Sequence, residues 1–170
     1  MDLKRWVRDV PDYPKPGILF RDLTPLLAHP PAMRYVVDEV ASYLKKRSVT
    51  AVCCIDARGF LFGAPVAVQL GLPIILVRKG GKLPPETTGA DYALEYGTAR
   101  VEVRSDAVKK GQKVAVVDDL LATGGTAAAA GRVVSRLGAE VVTYAFVVEL
   151  AALGGRKALG AAEVFALVKY

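Results

Sequence analysis

Apolar and polar positions alternate along the chain in two rhythms, and each change of rhythm marks an element. Val36, Val37, Val40, Ala41 and Leu44 return every three or four residues, which predicts a helix with one buried face. Residues 50–55 form a short apolar run and predict a strand buried on both sides. Residues 60–70 read as a second helix stopped by Gly71, and residues 74–77 as another apolar strand. Val101 and Val103 alternate with charged neighbours, as in an exposed strand, and Lys109-Lys110-Gly111 predicts a turn. Residues 113–117 predict a buried strand, 126–137 a helix and 141–148 a further strand. Strands alternating with helices point to an α/β fold, a parallel twisted sheet flanked by helices on both faces.

Two segments carry neither rhythm. Residues 1–31 are rich in proline and predict an arm that loops across the rest. Residues 78–92 are polar, hold Gly80, Gly81, Pro84 and Pro85, and predict a flexible loop. A loop of that length inside a compact domain is usually functional or mobile. Beyond about residue 150 the pattern says little.

The 170 residues suffice for a single domain with a real core, and 52% of them are apolar, too many for a disordered chain. No apolar run approaches the roughly 20 residues of a membrane span, so no membrane partner is expected. The first ten residues are charged and lack the apolar centre of a signal peptide, so a cytoplasmic location is expected. Cys53 and Cys54 are adjacent, with no other cysteine to pair with and no metal-site spacing, and read as two buried reduced thiols. The net charge of +6 admits nucleic acid as a partner, but no basic run is interleaved with aromatics. A small polyphosphate ligand accounts for the excess equally well, and no nucleic acid is expected.

The most informative stretch is VAVVDDLLATGGTAAAAGRVV, residues 114–134. A buried strand ends in Asp118 and Asp119, and Ala122, Thr123, Gly124, Gly125 and Thr126 lead into a helix. Ligands of such sheets bind outside the carboxyl ends of the strands. Small residues let backbone N–H groups approach an anion, and a helix N-terminus adds about half a positive charge. Two carboxylates beside a phosphate can accept from the vicinal hydroxyls of a sugar. Together these features describe a ribose-5-phosphate site. It is not a Walker loop and not a dinucleotide fingerprint, because it has neither Gly-Lys-Ser/Thr nor GxGxxG. The plainer alternative is a capped helix start behind a glycine-rich turn.

VVDDLLATGGT closely resembles the phosphoribosyl-pyrophosphate signature of the type I phosphoribosyltransferases. PDYPKPGILFRDLTPLL, ARGFLFGAPVA, VRKGGKLPPET and LEYGTA, in that order, resemble the adenine-specific branch of that family. The resemblance implies transfer of a 5-phosphoribosyl group from phosphoribosyl pyrophosphate to adenine, giving AMP and pyrophosphate, with Mg2+ held mainly through the substrate. It also implies a homodimer, and a sheet core over about residues 32–150 under a hood made by residues 1–31 and the C-terminal segment. Residues 122–126 would hold the 5-phosphate, and Asp118 and Asp119 the ribose. Asp56, Ala57 and Arg58, within DARG, would bind pyrophosphate with Arg78, Lys79 and Lys82, and a cis peptide is expected between Asp56 and Ala57. Phe20, Arg21 and Leu150 would surround adenine, although Phe20 on its own reads equally as a core anchor. Glu95 would handle the proton that adenine loses, its alternative being a structural acid beside Tyr96. No protein metal ligand is named. His29 reads as a surface residue and Trp6 as packing. The rival readings are a relative that uses another base, and a regulator that keeps the sugar site without turnover.

Overall fold

The structure, a computed structural model, describes residues 1–93 and 97–170. A 3₁₀ turn over Leu3–Trp6 leads into two antiparallel strands, β1 (Arg8–Pro11) and β2 (Leu19–Asp22). A short helix α1 (Thr24–Leu27) precedes a long one, α2 (Pro30–Lys45). Then come β3 (Ala51–Ile55), α3 (Arg58–Leu70), β4 (Ile74–Lys79), β5 (Thr87–Ala93) and β6 (Thr98–Arg104). The chain finishes with β7 (Lys113–Leu121), α4 (Gly125–Arg136), β8 (Glu140–Glu149), 3₁₀ segments over Ala151–Leu153 and Gly155–Leu159, and β9 (Glu163–Lys169). The main sheet runs in the order β5-β6-β4-β3-β7-β8-β9. Its pairs from β4 through β9 are parallel, and β6 pairs antiparallel with both β4 and β5.

β3 and the first half of β7, Val114 to Val117, are apolar at every position because each face of the sheet is covered. Val52 and Cys54 of β3, with Ala115 and Val117 of β7, join one core beside the buried face of α2 and Phe62 and Val66 of α3. Ala51, Cys53 and Ile55, with Val114 and Val116, join the other beside Val133 and Val134 of α4. This is the period-two alternation of a strand shared between two cores. The two cysteines are free and fully buried, one in each core. Burial pushes both thiols up, Cys54 to about 12, so they stay protonated and inert. Among the described residues no helix is long and apolar enough to cross a membrane.

Four features depart from the sequence reading. The strand predicted to stop at residue 117 continues through both aspartates to Leu121, because Asp118, Leu120 and Leu121 keep pairing with β8. The segment 78–92, read as one loop, begins in β4 and ends in β5; only residues 80–86 connect the two. Its strand escaped notice because only Ala90 is fully buried, which leaves no alternation to read. As an edge strand, β5 is covered instead by α4, whose Arg132 and Arg136 donate to the Asp91 and Gly89 carbonyls. The C-terminal segment, expected in the hood, supplies β9 to the sheet, in parallel register with β8. His29 is half-buried rather than a surface residue. Its Nδ1 accepts from the Ala32 amide at the start of α2, and its ring stacks on Trp6 at 3.5 Å.

Close approach of α3 to the sheet requires glycine. A Cβ on Gly63 would lie 2.3 Å from Cys54 Sγ, and one on Gly59 would lie 2.8 Å from the Val117 carbonyl oxygen. Gly63→Ala is therefore expected to cost about 1–3 kcal/mol by overpacking, measured by urea denaturation. Adding Cys54→Ala, which removes the clashing sulfur, should recover part of that loss. A double variant no more stable than the two single losses combined would refute the clash as its cause.

Candidate active site

Three hollows meet where the parallel strands end, and Thr126 borders all of them. The smallest, about 90 Å³, is enclosed by residues 120–127 with Asp118 at its rim. Its shape follows from Gly124, which turns at φ +83° immediately before α4. That left-handed angle suits glycine. The first N–H groups of a helix lack partners inside it, and Gly124 offers no side chain to cap them. An uncapped first turn beside two threonine hydroxyls is chemically an anion cradle.

The second hollow, about 480 Å³, is polar. Asp56, Ala57 and Arg58 line it from the turn after β3, Lys79 from the end of β4, and Asp118, Asp119 and Ala122 from β7 and beyond. The Asp56–Ala57 peptide is cis. Arg58 Nε donates to a carboxylate oxygen of buried Asp119, so one cation and one acid are already paired. Asp118 Oδ1 accepts from the Asp119 amide at 2.9 Å. Burial first, and then the neighbouring Asp119 carboxylate, push the Asp118 carboxyl well above the usual carboxylate range. A carboxyl group that resists ionisation is poised to gain from any ligand that brings hydroxyl donors or positive charge to it.

The third hollow, about 770 Å³, lies between the β1–β2 hairpin and the chain's end. Ile18, Leu19 and Leu150 line it with Leu153 and Tyr170, and Thr123, Gly125 and Thr126 close its inner side. Arg21 also borders it, but its guanidinium is engaged by Asp9 and lies 3.7 Å over the Tyr170 ring. Arg21 therefore acts here as a flat, neutralised wall. An apolar slot with a few polar edges suits a planar heterocycle.

The structure therefore gathers residues 122–126, both β7 aspartates, Asp56, Ala57, Arg58, Lys79, Arg21 and Leu150 around one connected space. Three residues stand apart from it. Arg78 donates to Asp56 Oδ2 at 3.0 Å and to the Lys82 carbonyl at 3.4 Å, outside the lining. Lys82 is exposed on the connection after β4, where its side chain misses the polar hollow. Phe20 packs edge-on against Tyr13 at 5.2 Å and lies 5.9 Å from the Arg58 guanidinium, beside the hollows rather than lining one. Glu95 lies outside the described residues; Ala93, two positions before it, lines the apolar hollow. Sequence reasoning missed Tyr92, which borders both large hollows, and Tyr170 under Arg21. A lone aromatic in the polar segment 78–92 was the available signal for the first; nothing local marked the second.

Comparison with known proteins places this geometry. The phosphoribosyl transferase domain pattern matches residues 25–168. Adenine phosphoribosyltransferase of Acaryochloris marina is 50% identical over 170 residues, covering all of both chains. The crystal structure of adenine phosphoribosyltransferase from Thermoanaerobacter pseudethanolicus superimposes with a TM-score of 0.96 at 46% identity, covering 99% of this chain and 98% of that one. The Saccharomyces cerevisiae enzyme, crystallised with D-2,5-dideoxy-2,5-imino-altritol 1,6-bisphosphate and adenine, gives 0.94 at 39% identity over 98% of this chain and 96% of its own. Identity that runs the length of the chain, together with a backbone that follows theirs from end to end, shows that the chain belongs to the phosphoribosyltransferase family, among the adenine phosphoribosyltransferases.

Proposed function

We propose that the protein transfers the 5-phosphoribosyl group of phosphoribosyl pyrophosphate to adenine, forming AMP and releasing pyrophosphate, a purine-salvage reaction. The observation that carries this reading is the junction of the three hollows at Thr126. An anion cradle, a polar hollow with acids and cations, and an apolar slot match phosphate, ribose with pyrophosphate, and purine. Residues 122–126 hold the 5-phosphate. Asp118 and Asp119 accept from the ribose hydroxyls. Arg58 and Lys79, with the backbone at Asp56 and Ala57, receive the pyrophosphate. Arg78 serves that loop by orienting Asp56, and Lys82 lies outside the lining of the polar hollow. Leu150 and Arg21 wall the adenine, and Phe20 backs the hairpin that carries Ile18 and Leu19.

Breaking the bond from the anomeric carbon to pyrophosphate builds positive charge on the ribose ring. The Asp118 and Asp119 carboxylates stabilise that charge, and the cations stabilise the departing pyrophosphate. Glu95 takes the proton that adenine loses. The residues present also suit Mg2+ held through substrate. Among the described residues no cluster of three or more acids, histidines or cysteines could hold a metal, and Asp119 is committed to Arg58. A bound Mg2+, which retains oxygen ligands and water, would neutralise pyrophosphate charge. The same reading places the enzyme in the cytoplasm as a homodimer. Leu61, Pro65 and Val68 form an outward stripe on α3, with Val68 76% exposed, beside an apolar groove reaching Met33 and Val37. Such a face is suited to a second copy. Sedimentation of the wild-type chain as a dimer, and of Val68→Glu as a monomer, is the expected outcome; a monomeric wild type would remove this assignment.

The activity is tested by mixing protein, Mg2+ and phosphoribosyl pyrophosphate with each purine and following nucleotide formation. Conversion of adenine alone is expected. Preferential conversion of guanine or hypoxanthine would overturn the base assignment, and tight binding without turnover would overturn the reaction. Glu95→Gln should lower kcat about 100-fold or more with little change in KM, and wild-type kcat would remove it from the chemistry.

Asp118 generates an opposed pair of effects. Its carboxyl pKa is raised in the folded state, so its ionisation destabilises the fold. That penalty is absent below the unfolded carboxyl range near 3.9. It grows as pH rises from there to the folded value and is complete above it. Asp118→Asn should therefore raise Tm at neutral pH, with the difference vanishing in acid. The same change should weaken ribose 5-phosphate binding by about 1.5–3 kcal/mol, measured by calorimetry. Unchanged affinity would refute the sugar clamp.

A further inference from the structure

An ion pair between a buried carboxylate and a half-buried guanidinium stands behind the proposed phosphate loop and takes no part in lining any of the three hollows. Glu149, the last residue of β8, is 5% exposed. Arg156 meets it as a fork, Nε to Oε1 and Nη2 to Oε2, each at 2.6 Å, and Nη1 donates to the Val164 carbonyl at 2.9 Å. Lys169 Nζ approaches the same carboxylate only to 3.9 Å. A carboxylate this buried needs its partner, and the planar guanidinium fork matches it in a way a lysine cannot. The fork holds the Glu149 carboxylate below the usual range.

This pair stabilises more than the strand end. Glu149 is in register with Leu121, and the Leu150 amide donates to the Leu121 carbonyl at 2.9 Å, immediately before the phosphate loop. On its other side Arg156 directly follows Gly155, which is buried against that loop. A Cβ on Gly155 would sit 2.3 Å from the Ala122 carbonyl oxygen, and a Cβ on Gly124 would sit 2.5 Å from the Gly155 carbonyl oxygen. Two backbones therefore touch at two points, one with glycine on one side and one with glycine on both. The loop's rear surface is the first residue of the 3₁₀ segment Gly155–Leu159, and the fork anchors that segment to both β8 and β9.

We propose that Arg156, acting through Glu149, is a positioning residue that holds Gly155 against residues 122–126 and so shapes the 5-phosphate hollow. It touches no substrate and sets the placement of the groups that do. The proposal rests on the reading that this loop takes the sugar's phosphate, and the two are tested separately.

Arg156→Met removes the charge at similar length, and Arg156→Lys keeps the charge but not the fork. In Arg156→Met the Kd for ribose 5-phosphate and the KM for phosphoribosyl pyrophosphate should rise about tenfold, with kcat and the KM for adenine within about twofold of wild type. Arg156→Lys should fall between. A folded variant with unchanged ribose 5-phosphate affinity overturns the proposal, as does an equal rise in the KM for adenine, which would show general support rather than positioning. Should Arg156→Met not fold, Arg156→Lys decides by the same readouts. Thr126→Val, at the cradle itself, serves as the reference. If it binds ribose 5-phosphate as wild type does, the phosphate reading fails; if it loses binding while the Arg156 variants do not, only the positioning role fails.

Discussion

The site exists because backbone can approach backbone closely at the carboxyl ends of β3 and β7. Gly59 and Gly63 let α3 lie against the sheet, where a Cβ on Gly59 would come within 2.8 Å of Val117 and Asp118 oxygens and one on Gly63 within 2.3 Å of the Cys54 sulfur. That fit places the 56–58 turn beside the Asp118–Asp119 pair, so two loops from separate strand crossovers open into one polar hollow. The same device recurs behind the phosphate loop, where Gly124 and Gly155 meet. Larger residues at these points would separate the loops that must act together.

Charge is crowded into this space, and the protein carries the cost. Asp118 and Asp119 are adjacent in a strand flanked by apolar cores, and Arg58 bonds directly to Asp119 while acting on Asp118 only as a weaker, more distant charge. Asp118 is left with an elevated tendency to stay protonated. A purely structural strand end would place valine there. Keeping an acid where it resists ionisation fits a group whose hydroxyl donors arrive with the ligand, the usual trade between stability and function at a binding site. The basic excess of the chain offsets the negative groups of the proposed sugar ligand.

How the two edges of the sheet are finished also bears on the site. At one edge Arg132 and Arg136 of α4 reach the carbonyls of β5, and β5 delivers Tyr92 and Ala93 to the hollows. Toward the other edge Arg156 ties the β9 backbone to Glu149. In both places an arginine that occupies main-chain acceptors also fixes a segment bordering the ligand space. The helix that begins at the anion cradle thus holds β5 on one side, while the 3₁₀ segment behind the cradle is fixed on the other.

The loop over residues 122–126, the proposed phosphate cradle, was legible in the chain because its chemistry is local. Asp118, Asp119 and residues 122–126 are nearly consecutive, so their spacing alone describes a cradle next to acceptors. The helix α2 and the strands β3 and β7 were legible for a similar reason, since each buries a regular set of positions. The strand β5 was hidden because it buries only Ala90 fully, and β9 because its pairing with β8 depends on a partner some 20 residues away in sequence. The family resemblance named Arg58, Arg78, Lys79 and Lys82 together, and the structure puts Arg58 and Lys79 at the polar hollow and the other two outside its lining. By itself the chain determined the order of elements from α2 to β8, β5 excepted, and the chemistry of one loop, since periodicity and consecutive residues are properties of a single segment. Only the tertiary structure decided that Arg58 engages Asp119, that Arg78 serves Asp56, and that Gly155 braces Gly124. Those contacts join residues about 20 to 60 positions apart, and their distances are set by sheet order and close packing, which no local pattern records.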